Sequence, residues 1–196
     1  EAGTVIKGIS VNPGEKAASL IIEPGAKIMA VGTVEKPIVF TSDKPAGQRL
    51  TGDWGGLIIC GNARVNRVTR PTIEGGPDTP YGNTTSDEFN GESSGKLKYV
   101  RIEFAGYPLE PDKEINGLTF GGVGSGTEVE FIQVSYSNDD SYEWFGGTVN
   151  AKHLIAYHGW DDDFDTDFGY SGNLQFLLSV RDKDIADTSD SNGFES

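Results

Sequence analysis

The stretch "GWDDDFDTDFGY" (159–170) places five aspartates, Asp161, Asp162, Asp163, Asp165 and Asp167, within seven positions, with aromatic residues close by. Carboxylates at that density hold a cation, carry general acid and base chemistry, or stay solvated. In a strand, alternate residues share a face, which sets Asp163, Asp165 and Asp167 outward and Phe164, Thr166 and Phe168 inward. Neighbouring carboxylates then stand about 6.6 Å apart and repel by about 0.6 kcal/mol in bulk water, or about 2.5 kcal/mol at an effective dielectric near 20. An exposed row tolerates this. A covered row requires a cation, a basic side chain or a protonated carboxyl.

Asp139 and Asp140 lie 23 positions before Asp162 and Asp163. If that spacing is one turn of a stacked fold, rungs about 4.8 Å apart bring carboxylates from both turns to one corner. Such oxygen ligands suit calcium, which takes about six to eight of them in irregular geometry. The expected ligands are Asp139, Asp140, Asp162, Asp163, Asp165 and Asp167. The spacing is not that of an EF-hand: counted from Asp163, Phe168 stands where the loop needs Gly and Leu174 where it needs Glu. Asp182, Asp184, Asp187 and Asp190 read as turn residues.

A repeat supplies the stacking. "LKYVRIEFA" (97–105), "VEFIQVSYS" (129–137), "AKHLIAYHG" (151–159) and "LQFLLSVRD" (174–182) share a short β pattern, with Val100, Ile132, Leu154 and Leu177 spaced by 32, 22 and 23. A second strand recurs as "LTFGGV", "EWFGGT" and "TDFGYS", placing Phe120, Phe145 and Phe168 25 and 23 apart; Asn150 and Asn173 are also 23 apart. A unit this short cannot bury its own apolar face, but stacked units bury a continuous column. The expected fold is all-β: a parallel β-helix of about seven to eight rungs, with Phe stacked inside and Asn laddered at a corner, rather than a sandwich with coincidental spacing. Residues 67–96, polar and rich in Gly, Pro, Ser and Thr, read as a long loop, either functional or a flap over one face.

Composition bounds the rest. The chain has 196 residues, 27 glycines and a net charge of −14, which fits one domain and argues against nucleic acid and anionic membrane surfaces. No apolar segment reaches the roughly 18 residues of a spanning helix, so no membrane insertion is expected. The single cysteine, Cys60, sits in an apolar run and reads as buried; Trp54 reads as core. Glu1 precedes an apparent strand and Ser196 falls within another, which suggests a piece of a longer chain.

The segments "SLIIEPGAKIMAVGTVEKPIVFTS", "GDWGGLIICGNARVN" and "LKYVRIEFAGYPLEPDKEINGLTFGGVGSGTEVEFIQVSYSNDDSYEWFGGTVNAKHLIAYHGWDDDFDTDFGYSG" together resemble the secreted or surface-attached right-handed parallel β-helix proteins of Bacteroidota. The resemblance covers nearly the whole chain. It implies a pectin-lyase-like solenoid exported to the cell surface or medium and settles no activity. Members usually carry an N-terminal cap and often continue past the equivalent of Ser196; exposed strand edges would favour end-to-end self-association, as in a filament or matrix subunit.

Two catalytic alternatives use the same acidic corner. β-helical polygalacturonases draw carboxylates from successive rungs, and "NDD" (138–140) and "DDD" (161–163) are similar to that arrangement, with Asp140, Asp162 and Asp163 as acid and base candidates. The later "GHG" and "RIK" of that family are missing, the last His being His158. Polysaccharide lyases of this fold neutralise a uronate with calcium and use Lys or Arg as base. Lys152, Arg181 and Lys183 lie near the acidic units but in no distinctive motif. His153 and His158, five apart, are expected on opposite faces.

A glycan platform could use Tyr142, Trp144, Trp160 and Tyr170. In "SYEWFGG", Tyr142 and Trp144 share one face and Glu143 and Phe145 the other, with the inward pair left open by the pattern. The sequence therefore favours a non-enzymatic extracellular or cell-surface module, structural or binding a polysaccharide or surface partner, and stabilised by calcium.

Overall fold

The computed structural model describes residues 1–10, 17–74, 76, 78–110, 113–187 and 191–196. Asp190 lies outside the described residues. Short apolar runs broken by Gly, Pro and Asn form fourteen strands and, among the described residues, no helix: β1 (Val5–Gly8), β2 (Ser19–Ile22), β3 (Ile28–Val31), β4 (Ile38–Ser42), β5 (Gly56–Cys60), β6 (Gly95–Glu103), β7 (Pro108–Glu110), β8 (Lys113–Glu114), β9 (Leu118–Val123), β10 (Glu128–Ser135), β11 (Tyr142–Gly147), β12 (Asn150–Tyr157), β13 (Phe164–Asp167) and β14 (Leu174–Val180).

Successive passes of the chain build two sheets. The first runs β1-β4-β6-β10-β12-β14, with β3 beside the start of β6, and the second β13-β11-β9-β5-β2. Every pairing within them is parallel; only the small β7–β8 pair is antiparallel. The architecture is a parallel β-helix. It has six levels in the first sheet and five in the second, fewer than the seven to eight expected. The reason is that residues 67–96 are spent inside one turn: Ile38 pairs directly with Val100, and Leu57 with Leu118.

Val100, Ile132, Leu154 and Leu177 pair in register across the first sheet and pack in the core. The aromatic column of the second sheet differs from the expected one. Phe120 pairs with Trp144, and Trp144 with Thr166, so the Phe-Gly motifs are one position out of register. Phe120 and Trp144 point inward and stack at 5.6 Å. Phe145 and Phe168 pack outside instead, 5.1 Å apart, against a second apolar cluster. In "SYEWFGG" the inward pair is therefore Tyr142 and Trp144, which leaves Glu143 outward. The Asn ladder is present: Asn173 Nδ2 donates to Asn150 Oδ1 at 2.7 Å.

The first sheet carries a feature the period-2 pattern conceals. Tyr99, Phe131, His153 and Phe176 all adopt positive φ, between 51° and 61°, and stack outside the sheet at 4.8, 4.4 and 4.7 Å. The left-handed residue lets two neighbours face outward before the alternation resumes. Its cost of about 1–2 kcal/mol per residue is offset in part by about 0.5–1.5 kcal/mol per stacked pair. Phe104, Tyr136 and His158 repeat the device at the next corner. His153 and His158 thus lie in two outer aromatic rows and not on opposite faces, because each sits at a left-handed position that resets the alternation.

Among the described residues of 61–94 there is no strand, and an isolated bridge joins Arg64 and Asn83. Ile73 and Tyr81 from this segment cover Ile58 and Cys60 on the outer face of the second sheet. Arg70 pins the segment by donating to Pro80 O at 2.8 Å and Asn62 Oδ1 at 3.1 Å. Burial pushes the Cys60 thiol up to about 12, which removes thiolate reactivity at neutral pH. Trp54 is buried, and its Nε1 donates to Glu103 O at 2.8 Å.

Candidate metal centre

The turn entering β11 and the turn entering β13 lie on adjacent levels. Ser141 N donates to Asp162 O at 2.8 Å, and Asp162 N to Asp140 Oδ1 at 2.9 Å. This stacking gathers two sets of carboxylates, Asp139–Asp140–Asp161 and Asp140–Glu143–Asp165, with ligand oxygens within 4.8 Å of one another in each. Asp140 belongs to both. Asp139, Asp140, Asp161 and Asp165 are half-buried, and Glu143 is only 7% exposed. Asn116 Nδ2 donates to Glu143 Oε2.

The electrostatics follow from burial and crowding. Desolvation first, then Asp139, Asp165 and Asp161, holds the Asp140 carboxyl well above its ordinary range. Glu143 is raised well above its own by burial, then by Asp140 and Asp165. Asp165 is raised from 3.8 to about 6 by desolvation and by Asp167, against the opposing Thr166 backbone hydrogen bond. Among the described residues, none of the ion pairs involves Asp140, Glu143 or Asp165. At neutral pH such a group of oxygens takes up protons or a cation.

The other expected ligands, Asp162, Asp163 and Asp167, fall outside these two oxygen sets. Asp163 is fully buried, not outward: its Oδ2 accepts from Ser179 Oγ and faces Arg181 Nη1 at 3.4 Å. Asp162 Oδ1 accepts from Asn192 N, and its carboxylate also meets Glu195, raising the Glu195 pKa. Asp167 is exposed. The cause is the local period: Tyr142 pairs with Phe164, 22 positions on, so Asp139 stacks over Asp161 and not over Asp162. Glu143 was not among the expected ligands because parity in "SYEWFGG" leaves the inward pair open; the register of β11 with β9 and β13 sets Glu143 outward, beside Thr119 and Asp165.

The catalytic candidates disperse similarly. Lys152, on β12 in the first sheet, pairs with Glu130 at 2.9 Å. Arg181 Nη1 donates to Asp161 O at 2.7 Å and Asn192 O at 3.1 Å, beside its contact with Asp163. Lys183 pairs with Asp184 at 2.6 Å, and Asp182 Oδ1 accepts from Asp184 N in a local turn.

Of the aromatic platform, Tyr142 and Trp144 are fully buried in the core, since inward parity places them there. Tyr170 is half-buried; its ring packs on Trp144 and its hydroxyl donates to Val149 O at 2.7 Å. Trp160 alone of the four is exposed, at 38%.

Neither the curated proteins nor the solved structures contain a match to this chain. The model of the pectate-lyase-like beta helix domain matches residues 1–196. Parallel coils, a continuous internal apolar column and this full-length match agree: the chain belongs to the pectate-lyase-like β-helix family.

Proposed function

We propose that this β-helix is a non-catalytic module of the cell surface or extracellular medium, stabilised by calcium at the Asp139–Asp140–Asp161 and Asp140–Glu143–Asp165 corner. The observation that carries the reading is the convergence of five carboxylates from adjacent turns, two oxygen sets within 4.8 Å sharing Asp140. Calcium suits this corner better than magnesium because it accepts irregular, carboxylate-rich coordination, whereas magnesium demands near-octahedral geometry and keeps its waters. Extracellular calcium modules bind at about 10⁻⁴–10⁻³ M, which is the affinity range the proposed location implies for this corner. The exposed Trp160, next to Asp161, is the side chain best placed to meet a glycan or protein partner.

What supports a non-catalytic role is the engagement of the candidate bases. Lys152 is paired on the first sheet, and Arg181 is committed to Asp163 and two backbone carbonyls. Asp162, a candidate acid for hydrolysis, is held by Asn192 and Glu195.

Terbium, a trivalent mimic of calcium, tests the site through emission sensitised by nearby aromatic rings. Exciting the aromatic residues is expected to give terbium emission that calcium displaces and that Asp140→Asn abolishes. Emission that is absent, or equal in Asp140→Asn, would overturn the assignment.

A further inference from the structure

We infer that the acidic corner holds two divalent cations bridged by Asp140, the inner one completed by the Thr119 hydroxyl and the Asn116 amide oxygen. The inference rests on the cation-binding reading above and adds the number of ions and a ligand set for each.

Carboxylate density alone does not give that number. The five carboxylates fall into an outer set, Asp139, Asp140 and Asp161, and an inner set, Asp140, Glu143 and Asp165. One divalent ion offsets two of their five negative charges and leaves three crowded in a partly desolvated corner. Two ions leave one, which solvent at the half-buried outer set can screen.

Unpartnered oxygens mark the inner position independently. On the outward face of the second sheet, Thr119, Glu143 and Asp165 form one cross-strand row, Thr119 paired with Glu143 and Glu143 with Asp165. Thr119 is fully buried, and its Oγ1 has no hydrogen-bond partner among the described residues. Asn116 is 4% exposed; its Nδ2 is spent on Glu143 Oε2, while its Oδ1 has no partner among the described residues. A buried hydroxyl and a buried amide oxygen beside carboxylates each call for a partner, and a cation shared with Glu143 and Asp165 supplies one to both.

Three carboxylates, a hydroxyl and an amide carbonyl are all hard oxygen donors, with no His or Cys among them. That set fits calcium and disfavours softer metals. The inner ion, enclosed beside Glu143, should exchange slowly. The outer ion, on half-buried aspartates, keeps water in its shell and exchanges faster.

Calorimetric titration of calcium chloride into the metal-stripped full chain at neutral to mildly alkaline pH tests this. Two equivalents are expected. Thr119→Val, which removes the hydroxyl at nearly constant size, is expected to weaken one step at least about tenfold and leave the other unchanged. Asp161→Asn is expected to weaken the other step. Should Thr119→Val fail to fold by circular dichroism, the wild-type stoichiometry and the single step surviving in Asp161→Asn carry the test. One equivalent in the wild type, or two that folded Thr119→Val leaves unaltered, overturns the inference while the cation-binding reading stands. Zero equivalents overturns both.

Discussion

Trp144→Ala is expected to lower the unfolding free energy by about 3–5 kcal/mol, a large fraction of the roughly 5–15 kcal/mol that holds a domain together. Trp144 is fully buried and packs on Phe120 at 5.6 Å, Tyr142 at 5.9 Å and Tyr170 at 5.7 Å. Its removal opens a cavity through the centre of the second sheet's column, where parallel rungs above and below cannot collapse to fill it. Trp144→Phe should cost far less, because Nε1 has no hydrogen-bond partner to lose. Trp160→Ala, at an exposed site, is the control, with an expected change of about 0.5 kcal/mol or less. Urea denaturation of the three variants checks this. Equal losses for Trp144→Ala and Trp160→Ala would put Trp144 on the surface and reverse the inward assignment of β11.

The second large effect is a pH dependence of the metal-free protein. Asp140, Glu143 and Asp165 all have folded-state pKa values raised above their unfolded values. The folded state therefore binds protons more tightly than the unfolded one. The contribution from these groups is greatest below about pH 4 and is lost as pH rises through their folded values, about 6 for Asp165 and well above the ordinary range for the other two. For Asp165, half-buried, solvent screening limits this loss to about 1 kcal/mol.

Carboxylates with lowered values, such as Glu130 between Lys98 and Lys152, push the opposite way, so the informative quantity is a difference between variants. Glu143→Gln keeps the shape and removes the charge. Relative to it, the metal-free wild type is expected to lose stability steadily between pH 4 and pH 9, because burial and the neighbouring carboxylates raise Glu143, and calcium is expected to reverse the order. A gap that stays constant with pH would mean that Glu143 titrates normally and is not enclosed among carboxylates.

Much of the fold was legible because one physical signal carried it. The apolar positions Val100, Ile132, Leu154 and Leu177 recur at the spacing that stacked coils require, and they pair in register. The second sheet was harder to read. Its levels are 24 residues apart from Leu118 to Tyr142 and 22 from Tyr142 to Phe164, so aligning the conspicuous Phe-Gly motifs shifted the frame by one. In a strand that shift exchanges inside for outside, and it turned Tyr142 and Trp144 from core residues into surface candidates.

The left-handed positions at Tyr99, Phe131 and His153 leave no mark in the sequence, because aromatic residues rarely adopt them. At the candidate site, Asp139, Asp140 and Asp165 were readable from acidic spacing. Asp161 took the place assigned to Asp162 and Asp163 through the same difference between 22 and 23. Glu143 comes from one pass of the chain and Asn116 and Thr119 from the pass before it, and the register of the sheet and the turn before β9 bring them together.

The acidic corner is proposed to be a calcium site that holds adjacent turns together. Its most direct test is the thermal midpoint of the metal-stripped protein at about pH 8 against increasing calcium, with magnesium as the control. A ligand that binds only the folded state adds about 2.7 kcal/mol at a hundredfold excess over its dissociation constant, which for a chain of this size is a rise of about 5–10 °C. A saturable rise with calcium that magnesium does not reproduce is the predicted result. A midpoint indifferent to calcium, or raised equally by both ions, would mean that no calcium holds these turns together.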